Sequence, residues 1–138
     1  MPTEPVASVP GQDPGMILEV YRVARSGATT TLTMAVLNDG VEDFNIGGSF
    51  TASSGRPPVT FDTSGISLLD PVGLDRYTVF IDTEDQCLCS ELERQTLVEP
   101  GQRVHLSASF PAPPASVTSV TVETPVGSLA GVPITDLS

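Results

Sequence analysis

Alternation of apolar and polar residues marks two strands of this chain, Thr29 to Asn38 and, most clearly, Gln102 to Phe110. A period of two residues is that of a strand with one buried and one exposed face. In an earlier segment Val23 falls out of phase with the apolar residues before it, which predicts a β-bulge near Tyr21 and Arg22. The alternation along the chain predicts a core made of Leu32, Met34, Val36, Val79, Val104, Leu106, Phe110, Val120 and Val122.

Four turn signatures separate these β-type segments. They are Arg25-Ser26-Gly27-Ala28, Asn38-Asp39-Gly40, Asp70-Pro71-Val72-Gly73 and Glu99-Pro100-Gly101-Gln102. Asp-Gly is a strong hairpin signal, and Asp-Pro-x-Gly favours a type I turn. No window of ten or more residues shows an apolar period of 3.6 without Gly or Pro inside it, so helix should be scarce. We predict an all-β fold, an antiparallel two-layer sandwich of roughly seven to nine short strands.

The first 15 residues, MPTEPVASVPGQDPG, read differently from the rest of the chain. They are rich in Pro and Gly, and they lack the basic-then-apolar order of a signal peptide. The length of 138 residues is that of one domain. The sequence therefore predicts a flexible leader over residues 1–15 and a single domain over residues 16–138.

The charge balance limits the partners of the chain. It has 17 acidic residues against six arginines and no lysine, for a formal net charge of −11. A surface of that sign repels polyanions, and no basic stripe is present to capture phosphates. We predict no nucleic-acid partner. The chain also lacks the run of about 18 apolar residues that a membrane span needs, so no span is expected in it.

The residue types that support catalysis are almost absent. His105 is the only histidine, and the alternation turns it to the face opposite the apolar side chains of its strand. Nucleophilic catalysis needs a base within reach of a Ser or Cys, and the G-x-S-x-G pattern does not occur. A type 1 copper site needs two histidines, and a structural zinc site needs four Cys or His ligands. We predict no catalytic residues, no resident metal and no cofactor.

Three stretches of the chain resemble a known kind of domain. They are the strand–turn–strand of residues 18–50, the acidic loop with Cys-Leu-Cys-Ser in residues 82–90, and the Phe-Pro-Ala-Pro-Pro connector with the strand after it in residues 108–122. Together they resemble immunoglobulin-like domains of secreted and cell-envelope proteins of actinobacteria, over roughly residues 16–134. The resemblance implies an immunoglobulin-like β-sandwich outside the cytoplasm, used as an accessory module without catalytic residues.

The two cysteines, Cys87 and Cys89, lie in the acidic segment DTEDQCLCSELE. Their number is even, and the resemblance implies that the protein is exported. Both observations favour an intramolecular disulfide. Residues two apart in an extended strand are about 6.6 Å apart at Cα, at the upper limit for a disulfide, so the bridge requires a turn at Leu88. Free thiols, an intermolecular bridge and a metal are the alternatives. In the same loop Asp82, Glu84 and Asp85 are candidates for binding a cation. The alternative interpretation is a solvated acidic loop that binds none.

These observations favour a non-enzymatic binding or spacer module, secreted or in the cell envelope, whose partner is a protein or an envelope component. An alternative of another class is a small redox or soft-metal protein that handles Cu(I) through Cys87 and Cys89. A second alternative is an assembly or decoration subunit of a larger particle.

Overall fold

The computed structural model of the protein describes residues 4–51, 61–81 and 87–137. Within these ranges the chain forms eleven strands and no helix, so no helix there is fit to cross a bilayer. The strands are Ala7–Pro10 (β1), Met16–Ser26 (β2), Thr29–Asn38 (β3), Phe44–Asn45 (β4), Ser67–Leu69 (β5), Arg76–Thr78 (β6), Leu97–Val98 (β7), Arg103–Pro111 (β8), Ser119–Thr124 (β9), Gly127–Pro133 (β10) and Thr135–Asp136 (β11). The predicted all-β class is confirmed.

The strands form two main sheets. The larger sheet has the order β1-β2-β3-β8, with β11 also paired to β2, and the smaller sheet has the order β10-β9-β5-β6. All ladders in both sheets are antiparallel except the short parallel pairing of β11 with β2. A separate two-stranded ladder joins β4 to β7. The antiparallel architecture is as predicted, while immunoglobulin-like connectivity stays a prediction.

Side chains from both main sheets meet in one apolar core. Leu18, Leu32 and Met34 of the larger sheet belong to the same buried cluster as Leu68 and Val122 of the smaller sheet. The two sheets therefore pack face to face, which is how each covers its apolar side. The core predicted by alternation is confirmed for every residue except Val104, which is only partly buried at the margin of the cluster.

The predicted bulge lies in β2. The register between β2 and β3 shifts between Val20 and Arg22, which leaves Tyr21 as the additional residue. Val20 and Val23 are three positions apart, yet both are fully buried. An inserted residue restores the phase of the strand, so the bulge turns both valines to the core.

The predicted bounds of the leader and the predicted number of strands are wrong. Residues 7–10 of the predicted leader form β1, which pairs with β2 from Ala7 opposite Val20 to Pro10 opposite Ile17. The prolines of this segment obscured the pattern, but Pro is tolerated on an edge strand such as β1. The strands in the described ranges also outnumber the predicted seven to nine, because β4, β7 and β11 have only two residues each. Such short ladders arise from tertiary contact and leave no period in the sequence.

Arg25 ties two later segments to the end of β2. Its side chain is only 7% exposed, and Nε donates to Asp136 Oδ1 at 2.6 Å. Nη1 donates to the carbonyl oxygens of Pro113, Pro114 and Val117. The hydrogen bond from Arg25 lowers the pKa of the Asp136 carboxyl and, in return, raises the pKa of the guanidinium. One buried cation therefore fixes both the proline-rich connector and β11.

Candidate functional site

A groove of about 390 Å³ opens at the end of the sandwich where β2 begins and β3 ends. One wall is the turn of residues 13–15, and the other is the segment of residues 40–44 after β3. We call this feature the end groove. Loops at the ends of a β-sandwich are common binding surfaces, because the sheets hold them in place.

The two walls of the end groove touch backbone to backbone. The amide of Asp39 donates to the carbonyl of Gly15 at 2.8 Å. Gly15 has φ +80°, and a Cβ added to it would lie 2.6 Å from the Cα of Gly40. Only glycine permits both that conformation and that approach. The width of the groove is therefore set by main-chain contact.

Asn38 organises the second wall. It is fully buried, its Nδ2 donates to the carbonyls of Glu42 at 2.7 Å and Val98 at 2.9 Å, and its Oδ1 accepts from the amide of Gly40 at 2.9 Å. These bonds bend the chain away from the larger sheet toward β4. The hairpin predicted at Asn38-Asp39-Gly40 is wrong, since β3 pairs with β2 and β8 and the segment that follows pairs with β7.

The end groove combines carboxylates with apolar surface. Asp13, Glu42 and Asp43 line it together with Val41 and Phe44. Val41 is 91% exposed, although it is a large aliphatic residue. The ion pairs formed within the described ranges use none of these three carboxylates. The groove can therefore attract a positive charge and cover an apolar group beside it.

The segment of residues 87–90, here called the cysteine segment, lies along the outer edge of β8. Three backbone hydrogen bonds of 2.9 Å hold it there. The amide of Leu88 donates to the carbonyl of Phe80, the amide of Ser109 to the carbonyl of Leu88, and the amide of Ser90 to the carbonyl of Ser107. The edge of the larger sheet is thus covered instead of open to another chain.

Cys87 and Cys89 are joined as a disulfide, with their Cα atoms 5.3 Å apart. Leu88 between them lies in a bend and is 55% exposed. A bend at Leu88 is what the predicted bridge requires, because a regular strand would hold the two Cα atoms too far apart.

Asp62 lies beside the cysteines. A carboxylate oxygen of Asp62 and the two Sγ atoms all lie within 4.8 Å of one another, and Asp62 is only 7% exposed. The amide and the hydroxyl of Ser64 both donate to Asp62 Oδ1, at 3.1 and 2.6 Å. Sequence reasoning missed Asp62, because a bridge between Asp62 and Glu91, far apart in the chain, brings it there.

His105 lies on the exposed outer face of the larger sheet, as predicted. Its ring packs against Tyr21 with centroids 5.9 Å apart, next to Glu19, which accepts from the Tyr21 hydroxyl and from Arg103. Burial acts to raise the pKa of Glu19, but the hydrogen bonds from Arg103 and Tyr21 outweigh it and lower that pKa. No hydrogen bond within the described ranges joins the His105 ring to a hydroxyl or thiol.

The predicted acidic candidates Asp82, Glu84 and Asp85 lie outside the described residues. Sequence reasoning did not find the end groove, because its walls come from segments that the alternation pattern does not connect. The turn signature Asn38-Asp39-Gly40 marks only one of the two walls.

No protein-family model, no curated protein and no solved structure matches this chain.

Proposed function

We propose that this protein is a non-enzymatic binding module that works outside the cytoplasm. Its end groove receives a cationic segment of a protein or envelope partner, a Lys or Arg flanked by apolar residues. The observation that carries the proposal is the groove itself, which Asp13, Glu42 and Asp43 line together with the exposed Val41.

Charge complementarity favours a basic partner. The net charge of −11 attracts cations toward the molecule from any direction. The three groove carboxylates concentrate negative charge at one place, where a cation can bind. The apolar groups of Val41 and Phe44 can cover the aliphatic stem of a Lys or Arg. A basic segment thus gains both charge and apolar contact at one place.

The rigidity of the groove supports binding without a large ordering cost. The wall of residues 40–44 is fixed by the buried Asn38, and the wall of residues 13–15 is fixed by the contact of Gly15 with Gly40. A preformed site loses little conformational entropy when it is filled, so even a small groove can bind specifically.

The location in the cell envelope or outside the cell and the immunoglobulin-like fold are part of the same proposal. The resemblance to secreted domains supports them, as does the disulfide, since disulfides persist in oxidising compartments. The isolated position of His105 supports a non-enzymatic role. Assays for hydrolase and transferase activity should show no turnover; a reproducible turnover that His105→Ala abolishes would contradict this part of the proposal.

The direct test neutralises the groove. A variant carrying Asp13→Asn, Glu42→Gln and Asp43→Asn is titrated against a fluorescently labelled peptide of alternating Lys and Leu. Each exposed ion pair is worth about 0.2–1 kcal/mol, so losing three should weaken binding about tenfold, as followed by anisotropy.

The matched control removes the same charge elsewhere. A variant with Glu4→Gln, Asp75→Asn and Glu93→Gln also makes the net charge less negative by three, with all three changes at exposed positions off the groove. It should bind the peptide nearly as well as the unmodified protein. Equal weakening of the two variants would show that the peptide responds only to overall charge, and the groove proposal would fail.

A further inference from the structure

We propose that the reduced Cys87 and Cys89 form, together with Asp62, a binding site for a thiophilic divalent cation of the zinc group. The site is independent of the end groove and does not rest on the function proposed for it. It has two thiolate ligands and one carboxylate ligand and leaves a fourth position for water or an exogenous ligand, the coordination of an open zinc site.

The distances suit such a cation after small movements. The three ligand atoms already lie within 4.8 Å of one another. Zinc bonds of about 2.3 Å to sulfur and about 2.1 Å to oxygen place tetrahedral ligands roughly 3.5–3.8 Å apart. The two Sγ atoms must therefore separate once their bond is broken, and the carboxylate oxygen must approach by at most about 1.2 Å. Side-chain rotation of Cys87 and Cys89 supplies this movement.

The backbone keeps the cysteines in place after reduction. Leu88, between them, is hydrogen-bonded on one side to Phe80 and on the other to Ser109, and Ser90 is bonded to Ser107. None of these bonds depends on the disulfide. Because the segment stays hydrogen-bonded along the edge of β8, the two thiols remain side by side after reduction.

The carboxylate of Asp62 is also held in place by hydrogen bonds. The amide and hydroxyl of Ser64 fix its carboxylate through Oδ1, in the way that outer hydrogen bonds orient a metal ligand. A carboxylate oxygen adds a hard ligand to two soft sulfurs. That mixed set suits the borderline Zn²⁺ better than Cu(I), which needs only the two sulfurs, or Mg²⁺, which prefers oxygen alone.

The chemistry balances in two steps. A phosphine reductant takes the disulfide to two thiols, its phosphorus is oxidised to the phosphine oxide with oxygen from water, and the two hydrogens of that water end on the sulfurs. Cation binding then replaces two S–H bonds with two S–metal bonds and releases two protons to solvent. Binding must therefore weaken as the pH falls.

The experiment uses the full chain, reduced with a phosphine and freed of it under inert gas. Cd²⁺, a spectroscopic substitute for Zn²⁺, is titrated while its sulfur-to-metal charge-transfer band is recorded in the ultraviolet, and Zn²⁺ is then added in competition. We expect one cation per chain, two protons released per cation, and no band with the oxidised protein. A reduced protein without a stoichiometric band, or an oxidised protein that binds equally well, would overturn the proposal.

The role of Asp62 has its own variants. Asp62→Asn should weaken cation binding roughly 10-fold or more, at least the loss that follows when an outer hydrogen-bonding partner of a ligand is removed. Glu91→Gln, at the exposed residue paired with Asp62 across the bridge, should leave the affinity unchanged. Asp62→Glu, which keeps the carboxylate, should recover part of the loss. Circular dichroism of each variant checks the fold. Unchanged affinity in a folded Asp62→Asn protein, or Cu(I) bound tightly while Zn²⁺ is not, would contradict a three-ligand site.

Discussion

At the scale of single residues, Asn38 joins three backbone groups from two parts of the chain, namely Gly40 and Glu42 after β3 and Val98 in β7. Replacing Asn38 with Ala leaves the buried carbonyl of Val98 without its side-chain donor. We expect a loss of about 2–3 kcal/mol in the free energy of unfolding, measured by urea denaturation. Asn45→Ala is the control, because Asn45 bonds backbone groups in the same manner while exposed, and it should cost less than about 1 kcal/mol. Equal losses would show that Asn38 does not hold the groove wall.

The ion pair of Arg25 with Asp136 makes a residue-scale prediction about pH. The folded pKa of Asp136 lies below its ordinary value of 3.8, so the unfolded chain binds the proton more tightly. The stabilisation is complete above about pH 4 and is lost as the pH falls through the lowered pKa. Asp136→Asn should therefore reduce stability at neutral pH and flatten its acid dependence, as measured by unfolding at a series of pH values. Asp75→Asn should keep the dependence of the unmodified protein; a dependence that Asp136→Asn leaves unchanged would contradict the linkage.

At the scale of elements, β1 contributes both hydrogen bonds and apolar surface. Ala7 and Val9 pack against the core, and the strand covers the edge of β2. Deleting residues 1–10 should cost about 2 kcal/mol or more and cause self-association, because it exposes an unpaired strand edge. Deleting residues 1–4 removes no ladder pair and should change neither property. Urea denaturation and light scattering distinguish the two; a stable monomer without β1 would mean that residues 7–10 are dispensable.

The sequence revealed those elements whose pattern is long enough to show a period. β3 and β8 alternate over nine or more residues, so their inward side chains were predictable, and the phase break at Val23 revealed the bulge at Tyr21. β1 has only two inward apolar residues between prolines, which is too short a pattern. The end groove and the position of Asp62 depend on which distant segments meet, and no local signal encodes that.

The cysteine segment gives a further prediction at this scale. The mass of the non-reduced protein should lie two hydrogens below that of the reduced form. A disulfide that closes a loop of three residues contributes only about 1.6 kcal/mol by chain entropy, so reduction should lower the melting temperature by no more than about 6 °C. The backbone hydrogen bonds of Leu88 should then hold the cysteine segment along β8 without the disulfide. Alkylation of both cysteines without reductant, or unfolding on reduction, would contradict this account.

At the scale of the whole molecule, the end groove lies within a strongly acidic surface. The net charge of −11 alone predicts weak binding of cations everywhere, whereas the proposed function requires binding at one end. The location of binding therefore separates specific recognition from general attraction.

The most direct measurement of that location is a two-dimensional amide NMR titration of the full chain with the Lys–Leu peptide. The account predicts that the largest shift changes fall on Gly15, Gly40, Val41 and Phe44, and that they saturate together. Shifts spread evenly over acidic residues, or centred on His105 and Tyr21 of the outer sheet face, would contradict the end groove as the binding site.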